Sequence, residues 1–124
     1  MELSLFTKLV ICLVILIHIA AAYFEMYQFP WFAKRAAGID APHAEACRVV
    51  GWNQGLYNLF FVVGLLVSLF IEPGPESLTL QIFCLASLAM AGLGGWYSMN
   101  NYKVAVGQTV PSGLVLALMA FGWA

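Results

Sequence analysis

Four apolar stretches, each long enough to cross a bilayer and set apart by short polar breaks, constrain this chain more than any other feature. They run from about Leu5 to Phe29, Arg48 to Ile71, Ser77 to Ser98 and Lys103 to Trp123. A helix rises about 1.5 Å per residue, so roughly 20 residues cover the ~30 Å of hydrocarbon. Barrel strands would be shorter and would alternate in polarity. The pattern predicts an all-α polytopic integral membrane protein. Its expected architecture is a four-helix bundle, up-down-up-down with short loops, in a single transmembrane domain over residues 1–124.

Composition closes off the alternatives. Of the 124 residues 63% are hydrophobic and only 9% charged. A soluble fold of this size has too much surface to wet with so few charges. Disorder requires the opposite bias. Five Lys and Arg against six Asp and Glu offer no basic excess to a nucleic-acid backbone, so no nucleic acid is expected as a partner. The lipid bilayer is. Three Cys with no close pair do not form a disulfide framework. Ala20-Ala21-Ala22 resembles a signal-peptidase site, but Glu2 precedes Lys8, His18 interrupts the run and aromatic residues continue beyond it. The first stretch is therefore expected to stay as a span.

The scarce charges orient the bundle. Lys34, Arg35 and Arg48 belong to the first loop and its helix ends, and Lys103 to the third. Across the membrane only Lys8 is basic, beside Glu2, Glu72 and Glu76. Short-loop Lys and Arg favour the cytoplasmic side. Loops 1 and 3 are thus expected in the cytoplasm and both termini outside, in a multi-pass protein of the cell inner membrane.

Glu72-Pro73-Gly74-Pro75-Glu76 reads as a stiff turn, and Asn100-Asn101 as the last one. Pro30 is expected to end the first span. The stretch from Pro30 to Cys47, with Trp31, Phe32 and His43, reads as the longest loop, an interfacial segment with rings at headgroup depth. Gly51 and Gly55, and separately Ser87, Ala91 and Gly95, recur every four places and predict close backbone approach within the bundle or between copies of a homo-oligomer. Pro111 is expected to kink the fourth span.

Polar residues inside the spans carry the functional signal. His18 and Glu25 lie two turns apart on nearly one face of the first span, about 10 Å along the axis. Asn53, Gln54, Tyr57 and Asn58 form two adjacent stripes of the second, able to line one broad face. Asn53 and Gln54 are expected near the depth of Glu25, and Asn58 closer to His18. Tyr97 and Asn100 end the third span and Gln108 and Thr109 begin the fourth. Antiparallel helices would gather these groups in the cytoplasmic half. The outer half would keep little beyond Thr79, Gln81 and Ser112. Amides and imidazoles often serve only as interhelical glue, whereas a carboxylate at membrane depth usually marks a site or pathway. His43 and Cys47, four apart, are ligand types, but two ligands do not make a metal centre. No cofactor is expected. Motifs for zinc proteolysis, phosphate binding, dithiol redox chemistry and a nucleophile elbow are missing from the sequence.

The run Asn53-Gln54-Gly55-Leu56-Tyr57-Asn58, preceded by His18 and Glu25-Met26, resembles the small four-helix inner-membrane proteins of bacteria grouped as a domain of unknown function. The resemblance covers nearly the whole chain, with the Asn-Gln-Gly-x-Tyr-Asn run as its best marker. Gln108 and Pro111 match a Gln-Gly-x-Pro element only loosely, because Gly107 precedes Gln108 and Thr109 follows it. The resemblance implies a four-helix membrane bundle and no activity.

Three functions compete. The first is a pocket for a small hydrophobic or amphipathic ligand, coupled to a proton through Glu25 and relayed by His18. In it Asn53, Gln54, Asn58 and Gln108 fix the ligand and Tyr57 covers it. Transport would require oligomerisation, since four helices without inverted repeats do not form a translocation path. The second is a non-catalytic scaffold or accessory subunit. The third, a membrane-embedded enzyme using His18 or Glu25 as acid or base, has no nucleophile or metal set to support it.

Overall fold

A computed structural model of the chain describes residues 2–124. It is all helix and turn: α1 (Leu5–Tyr27), α2 (Phe29–Ala37), α3 (Ala41–Ala46), α4 (Arg48–Phe70), α5 (Pro75–Met99) and α6 (Tyr102–Ala120). Four of these, α1, α4, α5 and α6, are long and apolar enough to cross a membrane. The chain is a multi-pass helical membrane protein.

The helix ends follow local chemistry. Ser4 caps α1, its hydroxyl accepting from the Thr7 amide, and Asn101 caps α6 by accepting from the Lys103 amide at 3.1 Å. Pro75 opens α5 in the first turn, where a missing N–H leaves no bond unmade. Pro30 acts in the same way. It does not end the first span, because α1 already stops at Tyr27 and Pro30 lies in the first turn of α2. The stretch expected as a long loop is instead two short helices. Asp40 caps the second of them, and Gly38, at φ 69°, closes the first in the left-handed region that a side chain would strain.

Lipid offers no hydrophobic drive between helices, so close packing and hydrogen bonds hold them together. Gly51 lies against the Phe29 ring, and Gly55 against Met26 and the Ala22 carbonyl, where an added Cβ would come within 2.9 Å of the oxygen. As the positions on α4 rise, their partners fall from Phe29 at the start of α2 to Met26 and Ala22 on α1, so α1 and α4 run antiparallel. On α5 the close approach to α6 is made by Gly92, against Gln108 and Thr109, and by Gly95, against Val104. The stripe expected through Ser87 and Ala91 is therefore displaced: Ala91 is exposed and only Gly95 serves as foreseen. α1 also packs on α6, and α4 on α5, which closes the circuit. The core between them holds Ile11, Val14, Val62, Leu65, Leu85, Leu88 and Val115. α6 continues through Pro111 as one helix.

The two ends of the molecule differ. Every Trp and Tyr except Trp123 lies in the half that α2 and α3 cover, as a ring belt at headgroup depth would. There Trp31 stacks on Phe24 at 4.9 Å between centroids, and the Arg35 guanidinium sits 5.0 Å over Trp31. Asn101 reaches from the α5–α6 turn to donate to the Ala36 carbonyl at 3.0 Å. That bond ties α2 across the end of the helices.

Candidate functional site

Glu25 leaves α1 one turn before its end and is only 8% exposed. Its Oε2 accepts a 2.7 Å hydrogen bond from Asn58 Nδ2 on α4. The expected depths were the reverse, with Asn53 and Gln54 beside Glu25 and Asn58 near His18. Side-chain direction explains the difference. Helical side chains lean toward their own N-terminus, and α1 and α4 run in opposite senses. Glu25 therefore leans into the membrane while Asn58 leans toward the α2–α3 end, and the two meet.

Around this pair a groove of about 540 Å³ opens between α4 and α5. Gln54, Tyr57 and Asn58 line it from α4, Ser98 and Gly94 from α5, Gln108 from α6, and Phe32 of the tethered α2 from its end. Phe60, Phe61, Leu88 and Val104 supply apolar wall. All four long helices contribute to the lining, and the polar side chain from α5 is Ser98. Tyr97 is 92% exposed and Asn100 serves as the left-handed cap of α5. Asn53 is exposed and lies outside the groove. Thr109 donates to the Ala89 carbonyl at 2.8 Å and so joins α6 to α5.

The carboxylate is incompletely satisfied. Among the described residues Glu25 has no cationic partner, and Asn58 is its one hydrogen-bond donor. Its Oε1 is without a partner yet not sealed from the groove. An ionised group at membrane depth costs about 2.5–3.5 kcal/mol unless something pairs with it.

His18 is fully buried and does not line the groove. Its Nδ1 lies 2.7 Å from the Val14 carbonyl, which can only accept, so Nδ1 carries the proton. In the neutral ring Nε2 is then an acceptor, and it is buried without a partner, as is Ser112 Oγ. His43 is hydrogen-bonded to the α3 cap Asp40, and Cys47 is exposed where α3 meets α4. No cluster of three metal-ligating side chains occurs among the described residues.

The far end of the α4–α5 interface carries a second polar cluster, of which Gln81 alone stood out in the sequence. Ser77 Oγ donates to the Ser68 carbonyl at 2.7 Å, and Gln81 Nε2 donates to that same carbonyl at 3.3 Å and to Ser77 Oγ at 3.1 Å. All three side chains are buried, as is Thr7 on α1. This half of the bundle is thus more polar inside than expected. The spacing of Ser77 and Gln81, one turn apart on a single face and just after the turn that follows Ser68, was the available signal. Thr79, by contrast, spends its hydroxyl on its own helix at the Pro75 carbonyl.

No curated protein and no solved structure matches the chain. Residues 12–120 match the family described as protein of unknown function (DUF1304), which takes in nearly all of the membrane helices just described, and the chain belongs to that family.

Proposed function

We propose that the groove between α4 and α5 binds an amphipathic molecule that enters sideways from the bilayer. The observation that carries this reading is the Glu25–Asn58 pair, a carboxylate held in place by one amide and left open on its other oxygen. Glu25, Gln54, Asn58 and Gln108 take the polar end, while Tyr57 covers it. Asn53 is kept as a contact of the headgroup region at the mouth. His18 serves as the proton relay behind the ligand, through its free Nε2.

In this reading the four long helices form one up-down-up-down bundle. Lys34, Arg35, Arg48 and Lys103 lie on the cytoplasmic side of a cell inner membrane and both termini lie outside. A Gly74→Cys substitution in a chain stripped of Cys12, Cys47 and Cys84 should be labelled from outside intact cells. Labelling only after permeabilisation would reverse the orientation.

Native mass spectrometry of the protein released from nanodiscs tests the binding function. The wild type should retain a bound molecule that Glu25→Gln and Gly94→Leu lose while remaining folded by circular dichroism. A wild type without any adduct, whose melting is unmoved by added amphiphiles, would instead favour the non-catalytic scaffold.

A further inference from the structure

The lining of the groove has one sign of charge and an unusual amount of ring surface. Glu25 is its only ionisable group apart from the phenol of Tyr57. No Lys, Arg or His lines it, and no basic side chain of the described residues pairs with Glu25. The amides of Gln54, Asn58 and Gln108 add acceptors as well as donors, and the rings of Phe32, Tyr57, Phe60 and Phe61 line it. A carboxylate with ring faces and no competing cation is the chemistry that holds an organic cation, through charge and through cation–π attraction. The amides and hydroxyls of the lining could hydrogen-bond a phosphate, but no Arg or Lys there would neutralise one, and Glu25 would repel it. A zwitterionic phospholipid headgroup therefore lacks half of its partners here.

From this juxtaposition we propose that the occupant of the groove is a lipophilic organic cation bearing one positive charge and no phosphate, paired with Glu25 and enclosed by the aromatic wall. The proposal rests on the binding function above and names its ligand class.

The test uses the full chain in a neutral detergent and three probes of similar shape. Tetraphenylphosphonium is cationic, triphenylphosphine oxide neutral and tetraphenylborate anionic. Titration calorimetry should show saturable binding of the cation, with the other two at least about tenfold weaker. Glu25→Gln should raise the Kd of the cation by about tenfold or more. Gln54 is exposed at the groove, so Gln54→Lys leaves the packing untouched; it should weaken the cation and admit the borate. Equal binding of cation and neutral probe, indifferent to both substitutions but lost in Gly94→Leu, would overturn the cation assignment and leave the groove as a binding site. Failure of all three probes to bind would overturn the binding function itself. A last arm adds phosphatidylethanolamine to nanodiscs of phosphatidylcholine. Unchanged binding supports a phosphate-free cation, whereas displacement by that lipid would overturn it in favour of an ammonium headgroup.

Discussion

The α4–α5 interface is two different structures at its two ends. Near the Pro73–Gly74 turn the two helices are bonded to each other, and Ser68, Ser77 and Gln81 face a cavity of about 360 Å³ that Glu2, Lys8 and Glu72 also line. Gly64 lies against Cys84, and Ser77 and Gln81 both donate to the Ser68 carbonyl, so the donors of Ser68, Ser77 and Gln81 are bonded within the protein. Near α2 the same two helices leave a groove, and the carboxylate inside it has one bond where it could accept several. Both ends place polar groups at membrane depth. At the first they satisfy one another and act as glue; at the second they remain free for something else. Polarity in the hydrocarbon does not by itself mark a site; a carboxylate without a cationic partner beside open volume is the stronger signal.

The comparison can be broken most severely on α5. A Cβ at Gly92 would come within 2.9 Å of the Thr109 nitrogen, whereas one at Gly94 meets nothing within 4 Å. Gly92→Leu should therefore destabilise the chain by about 3 kcal/mol in a micellar denaturation series, the upper part of the overpacking range. Gly94→Leu, two residues on, should unfold near the wild-type midpoint while filling the groove. If the two variants melted alike, the groove would not be the open side of α5.

Asn101→Ala comes next. It removes both the α6 cap and the bond to Ala36, and should cost about 1–2 kcal/mol. Limited proteolysis should then cut α2 sooner, while cleavage near the Pro73 turn keeps its rate. Gln81→Leu tests the hydrogen-bonded end. It deletes two hydrogen bonds, and about 1 kcal/mol is expected from denaturation. Retention of ligand at the groove would show that the two ends are independent. Smallest of all should be Ser112→Ala. Its hydroxyl is buried without a partner, so its loss should shift the midpoint by less than about 0.5 kcal/mol, toward greater stability.

The sequence showed the helices clearly and their meetings only in part. The spans read from the apolar runs agree with α1, α4, α5 and α6 to within a few residues at each end. Gly51 and Gly55 were legible as packing positions because their four-residue spacing needs no partner to be seen. The Ser87–Ala91–Gly95 stripe was as regular, yet of its members only Gly95 meets α6, which packs on Gly92 as well, since spacing alone does not say which face turns toward a neighbour. Pro30 was read as a terminator for a similar reason. A proline is compatible with the end of one helix and the first turn of another, and Phe29–Ala37 takes the second option.

By itself, then, the sequence determined that the chain crosses a membrane, how many long helices do so, and that Glu25 and the Asn53–Asn58 run lie near one end of them. Those properties follow from the length of apolar runs and from distance along a single helix, which are local quantities. Tertiary structure decided that Glu25 bonds Asn58 and not Asn53 or Gln54, that His18 is buried and does not line the groove, and that Ser68, Ser77 and Gln81 bond to one another. Each of these depends on how antiparallel helices are rotated and on side chains that lean in opposite directions across their contact, and no single helix carries that information.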